Sequence, residues 1–209
     1  MSDDITKIKV LGGVGGILAA LFFIHWVLGI IGVVLLLIAF YSASEYYQEH
    51  KIFSNAIKYL VSVATSLAII IGAAVYALLK IAGMGLLNSP LIWGGMSQRE
   101  IISKIEDINW IYDALIYKTL VIMIVGIIVG IAVLIISGVF FKRTTDIMAR
   151  YTGISLFSTA GTIYVIGAIL AIIFVGLLLI FVSYLLLGIA FLLIKEKPKE
   201  DLSLVEYKY

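Results

Sequence analysis

Cysteine is missing from this chain and charge is scarce. Without cysteine, disulfides, thiolate nucleophiles, iron–sulfur clusters and cysteine zinc sites are excluded together. Charged residues form 13% of the 209 positions against 63% hydrophobic, where soluble domains carry about 25% charged residues. No water-soluble domain of substance is therefore expected. Histidine occurs only as His25 and His50, which removes paired histidine ligation of a haem inside a bilayer. The cluster Gly12, Gly13, Gly15, Gly16 lacks the Gly-Lys-Ser or Gly-Lys-Thr ending of a phosphate loop, and no His-Glu-x-x-His or Gly-x-Ser-x-Gly pattern is present. Lysine and arginine are too dispersed for nucleic acid binding. The chain is expected to be no enzyme, with no catalytic residue, cofactor or metal.

What is abundant is apolar length. Residues 156–194 contain no acidic or basic side chain. As one helix, at about 1.5 Å per residue, they would reach roughly 58 Å, about twice the ~30 Å hydrocarbon thickness. Such a run must turn back on itself. Residues 8–43 form a second run of similar length, broken near its middle by His25-Trp26. Both read as helical hairpins in lipid.

The resulting expectation is an all-α membrane protein: a six-span helical bundle made of two hairpins and two central spans, the fourth extended by an outer amphipathic helix. The spans fall at about 8–24, 27–44, 53–79, 115–141, 156–174 and 177–194. They form one membrane-embedded domain, 1–195, followed by a charged cytoplasmic tail, 196–209. The third span should end before Gly83-Met84-Gly85. The amphipathic helix, about 97–114, opens with the capping box Ser97-x-x-Glu100 and carries Ile101, Ile105, Ile108 and Ile111 at helical spacing. It should run unbroken into the fourth span. A basic loop from Lys142-Arg143 to Arg150 then leads to the last hairpin.

Charge placement selects six spans over four. With six, Lys7, Lys9, Lys51, Lys142, Arg143, Arg150, Lys195, Lys197 and Lys199 share the face of the termini. The positive-inside rule then puts both termini in the cytoplasm of a multi-pass cell-membrane protein. Trp26, Trp93 and Trp110 fall at the outer boundary, where tryptophan prefers to lie. No cleavage site closes a short apolar run, so the first run is expected to remain as an anchor.

Small residues mark where helices can approach. Gly12 with Gly16, Gly126 with Gly130, and Gly161 and Gly167 are the helix-packing candidates. A shift of 151 positions superposes Gly16 on Gly167, Ala20 on Ala171, Leu35-Leu36 on Leu186-Leu187 and Ile38-Ala39-Phe40 on Ile189-Ala190-Phe191. A duplication of the hairpin would place the copies around a pseudo-twofold axis along the membrane normal. An alphabet this restricted also yields such matches by accident.

Leu11-Gly12-Gly13-Val14-Gly15-Gly16, Tyr46-Tyr47, Lys51-Ile52-Phe53-Ser54-Asn55 and Leu156-Phe157-Ser158-Thr159-Ala160-Gly161 together resemble an uncharacterised family. It is a set of small, mainly archaeal integral membrane proteins grouped as domain of unknown function 996. The likeness implies a membrane bundle and brings no activity or site residues. One departure is His25-Trp26, where a Pro or Gly turn between the first two spans would be expected.

Two functions fit these residues. One is a non-catalytic structural or accessory subunit of a membrane assembly, with membrane lipid and a homo-oligomer or larger membrane complex as partners. The alternative is a small channel or facilitator for a neutral or apolar solute, its path lined by Thr65, Ser66, Ser137, Thr159, Thr162, Tyr164, Ser183 and Tyr184. The same hydroxyls also serve interhelical hydrogen bonding or bonding back to their own helix. No ionisable group lies deep in a span, which weighs against charge-coupled transport. Glu45, Glu49 and His50 have the composition of a metal-ligand set but not its spacing, which turns His50 away from the two carboxylates.

Overall fold

A computed structural model describes residues 2–87, 98–173 and 175–195, with side chains for 4–22, 24–82, 115–173 and 175–195. The regular structure described is helical throughout: α1 Ser2–Ala20, α2 Trp26–Tyr46, α3 His50–Leu87, α4 Gln98–Thr152, α5 Ser155–Ile169 and α6 Val175–Leu192. Single 3₁₀ turns at Leu21–Phe23 and Leu170–Ile173 follow α1 and α5. Each of the two long apolar runs thus reverses once. Ser97, Trp93, the tail 196–209 and the side chains of the isoleucine stripe, with that of Trp110, lie outside what is described.

The first reversal uses neither Pro nor Gly. The amides of Ile24 and His25 both donate to Leu21 O at 2.9 Å, and His25 is extended at φ −146°, ψ 108° before α2 begins. A 3₁₀ turn and one extended residue suffice to turn the chain. Five helices are long and apolar enough to cross a membrane: Trp26–Tyr46, His50–Ala82, Leu115–Thr152, Ser155–Ile173 and Val175–Leu192. The chain is a membrane protein of several passes. α1 carries Asp4, Lys7 and Lys9 in its first turns.

Contacts divide the chain into two compact units, one from Met1–Leu60 with Ser137–Tyr209 and one of Val61–Ile136. In the first unit α1 packs on α2 and on α6, and α5 packs on α6. Its interior combines small residues with rings such as Phe141, Phe157, Tyr164 and Phe191. Ala20, Ala39, Ala43, Ala160, Ala168 and Ala190 are fully buried, while Ile24, Ile172 and Leu178 are exposed. Hydrocarbon is as apolar as leucine, so burial of apolar surface does not drive helices together in lipid, and small residues that let backbones approach take its place.

The tightest case is the crossing of α1 and α6. A Cβ on Gly16 would stand 2.5 Å from both N and Cα of Gly188. Nothing there can yield, because the obstacle is backbone. Within the last hairpin, a Cβ on Gly167 would come 2.9 Å from Gly176 O. Of the other glycines singled out from sequence, Gly12 faces the Phe191 ring and Gly161 the Thr145 hydroxyl.

The echoed triplets Ile38-Ala39-Phe40 and Ile189-Ala190-Phe191 share one exposure pattern: isoleucine outward, alanine and phenylalanine buried. Phe40 and Phe191 also meet edge to face at 5.4 Å. Yet the extensive contact between hairpins is α1 on α6, and the counterpart a twofold demands, α2 on α5, is not made to comparable extent.

The second unit holds the following parts of α3 and the preceding parts of α4. Ser66, Ile70, Ala73 and Ala77 recur on α3 at alternating steps of four and three, the spacing of a coiled-coil seam. A Cβ on Gly126 would meet Ala73 Cβ at 2.5 Å, and Gly130 faces Ile70. Ser66 Oγ donates to Gly130 O at 2.7 Å. The pairing order shows the two helices to be antiparallel.

Two expectations are corrected. The basic stretch 142–150 is not a loop, because α4 continues to Thr152. Phe141, Thr144, Thr145 and Met148 keep one face buried, and Lys142 pairs with Asp146 four residues on. Gly153, at φ +72°, ends the helix with its amide on Ala149 O. Likewise Gly83 and Gly85 do not end α3, which continues to Leu87.

Replacing Gly16 by Leu should lower thermal stability in detergent by roughly 1–3 kcal/mol, the cost of overpacking. Gly72, which has nothing within 4 Å of an added Cβ, should accept Ala within about 0.5 kcal/mol. Parallel melting curves of the two variants check both.

Candidate functional site

The most elaborate polar feature of the first unit lies at its centre. Tyr59 of α3, Ser137 and Phe141 of α4, Tyr164 of α5 and Tyr184 of α6 are all buried. Their rings form one cluster. Tyr59 lies 4.8 Å from Phe141 and 5.4 Å from Tyr164, and Phe141 lies 4.7 Å from Tyr164 between centroids. The Tyr59 and Tyr184 hydroxyls are hydrogen-bonded to each other, and the Tyr164 hydroxyl joins Tyr59 and Ser137. Four helices are tied by hydroxyls that would each be costly to leave unpaired in this environment.

The residues proposed as path-lining behave alike. Thr65 donates to Val61 O at 2.8 Å, Thr159 to Ser155 O at 3.2 Å and Thr162 to Ser158 O at 3.0 Å, each within its own helix. Ser183 donates to Ala160 O of the neighbouring helix at 2.7 Å. Among the described residues no buried side-chain oxygen or nitrogen lacks a partner. The cavity beside the tyrosine cluster, bounded by Leu36, Phe40, Ala56 and Tyr184, has a volume of about 10 Å³. That is the size of one water at most, and its lining is apolar.

Chemically, the cluster offers phenols and a serine whose partners are other hydroxyls and rings. The arrangement crosslinks helices. Tyr59 escaped the sequence reading, although its signal is visible afterwards: it sits at the head of the seam Tyr59, Ser66, Ala73, each step seven residues.

At the turn joining α2 to α3, Tyr41 donates to Glu45 at 2.6 Å and Tyr151 to Glu49 at 3.2 Å. Both carboxylates are thus engaged by phenols. No group of three or more His, Asp or Glu among the described residues is placed to hold a metal. The turn itself passes through Gln48 at φ +53°, a region few non-glycine residues occupy. His25 is exposed at its N-cap position.

A family model described as protein of unknown function (DUF996) matches residues 28–185, from α2 to the middle of α6. The chain belongs to the DUF996 family. Uncharacterized protein MJ1644 of Methanocaldococcus jannaschii is 27% identical over 173 residues, covering 82% of each chain. No solved structure matches. The DUF996 region thus contains both the tyrosine cluster and the second unit.

Removing the Tyr184 hydroxyl in Tyr184→Phe should cost about 0.6–1.7 kcal/mol, the range for interhelical hydrogen bonds in membranes, read as a lower melting temperature with unchanged helical content. Tyr47 supplies a second measurement. Burial, and secondarily its neighbour Tyr46, push its phenol up to about 12. A group that holds its proton more tightly when folded contributes stability below about pH 10, and that contribution is lost as pH rises toward 12. Ultraviolet titration should therefore show a late-ionising tyrosine that disappears in Tyr47→Phe.

Proposed function

We propose that this membrane protein is a non-catalytic structural or accessory subunit of a membrane assembly. The observation that carries this reading is the filled interior of the first unit: its hydroxyls are spent on helix backbones and on one another, and the space beside them holds about 10 Å³. Such an interior supports a body whose task is to persist in shape. The second unit adds to the reading, because its helices expose Val61, Ile71, Leu78, Ile124 and Ile128. That apolar surface is available to lipid or to neighbouring helices.

In this reading the protein lies in the cell membrane and crosses it six times with both termini cytoplasmic. α1 with its 3₁₀ turn, Ser2–Ala20 and Leu21–Phe23, is as long as the partner α2 on which it packs. Its charged first turns then reach the same face as Lys51, Lys142, Arg143 and Arg150. The partners are membrane lipid and either further copies of the chain or other membrane subunits.

Gentle solubilisation from native membranes, followed by size analysis of crosslinked material, tests the proposal. The chain should migrate in a species larger than its 22.9 kDa monomer with bound detergent. A clean monomer with no companion would remove the accessory role. Solute flux in liposomes that is abolished by Thr65→Leu or Thr162→Leu would replace that role with transport.

A further inference from the structure

The basic end of the first unit carries a feature that the accessory role does not use. An open cavity of about 420 Å³ lies between the start of α3 and the end of α4. Its walls carry Lys51 and Lys58 from α3, Arg143 and Arg150 from α4, and the side chains of Asn55 and Asp146. On each helix the two cations are seven residues apart, hence two turns apart on one face and separated by about 10 Å along the axis. Because the helices run antiparallel, the four cations form two levels, Lys58 with Arg143 inside and Lys51 with Arg150 outside.

The charge is compensated from within only at its outer level, where Glu49 shares a neighbouring recess with Lys51 and Arg150 and accepts hydrogen bonds from the Lys51 backbone amide at 3.2 Å and the Tyr151 phenol. Asp146 is the one carboxylate of the wall, and it is already committed: Lys142 Nζ donates to both its oxygens at 3.1 Å, and Ser158 Oγ donates to Oδ1 at 2.7 Å. Among the described residues, no ion pair is made by Lys51, Lys58, Arg143 or Arg150. The inner pair also shares one ring neighbour. Lys58 Nζ and the Arg143 guanidinium stand 6.0 and 5.9 Å from the centroid of the same ring, Phe140. Each cation is attracted to the ring, and an anion placed between the two would offset their mutual repulsion.

The depth of the pair says which anion. Lys58 lies two turns inside a helix that goes on to cross the bilayer, and Ile57 and Val139 beside it are exposed and apolar. This is the level at which a helix passes from headgroups to hydrocarbon. We propose that the cavity binds an anionic phospholipid, its phosphate between Lys58 and Arg143 and its headgroup reaching toward Lys51, Arg150 and Asn55. Arginine offers the phosphate a two-pronged donor and lysine a point charge.

The test uses the full chain, delipidated in a mild detergent, with native mass spectrometry and added phosphatidylglycerol, phosphatidylcholine or inorganic phosphate. Phosphatidylglycerol should be retained in preference to phosphatidylcholine. Lys58→Gln with Arg143→Gln should weaken retention roughly thirtyfold, as expected for two basic groups at a charged lipid surface. Lys195→Gln should not. The charge-preserving pair Lys58→Arg with Arg143→Lys should keep binding, which separates loss of charge from loss of fold. Equal retention of the zwitterionic lipid, unchanged retention in the Gln pair, or loss in the charge-preserving pair would overturn the proposal. Displacement of the lipid by millimolar inorganic phosphate would overturn it as well, by making the site one for a free anion.

Discussion

Everything in the first unit depends on two backbones being allowed to touch. Where α1 crosses α6, Gly16 and Gly188 bring main chain against main chain, and this crossing is how the N-terminal and C-terminal hairpins become one body. In water such a contact would be minor beside the burial of large side chains. In hydrocarbon that burial has no driving force between helices, and dispersion over closely matched surfaces is what remains. The alanines of the interior follow from the same constraint, as does the placement of bulky isoleucine and leucine on the outside.

Polar groups obey a matching rule. A hydroxyl in a membrane interior is tolerated if it is paired, and here the pairing is systematic. Threonines bond back to their own helices, Ser66 and Ser183 bridge to neighbouring helices within their units, and three tyrosines from separate helices converge with Ser137. The tyrosines combine both requirements. Their rings fill volume and their hydroxyls fix which rings can be neighbours, so the cluster selects one arrangement of helices where a purely apolar core would admit several.

The sequence made the hairpins legible because length alone settles them: a run of 156–194 cannot cross once. It also made the passage of the stretch at 98–114 into the apolar part of α4 legible, through an unbroken helical period. Helix ends were harder. Charges at 142–150 signal departure from the bilayer but not the end of the helix, because Thr144, Thr145 and Met148 stay packed below the charges. Hardest was the tyrosine cluster. A helix that is apolar on every side gives almost no sequence sign of which face is buried, so the rotation of α5 and α6, and with it the meeting of Tyr164 and Tyr184, is set by packing. For Tyr59 alone a clue exists, the seven-residue recurrence Tyr59, Ser66, Ala73 on α3.

The small recess beside Tyr184 has a mechanical consequence. With about 10 Å³ of room where α2, α3, α4 and α6 meet, this junction has little slack of its own when the surrounding bilayer squeezes or stretches it. A thinner or thicker membrane must then be met by whole hairpins leaning as rigid pieces, and strain that other proteins absorb by internal compression would here appear as a change of inclination.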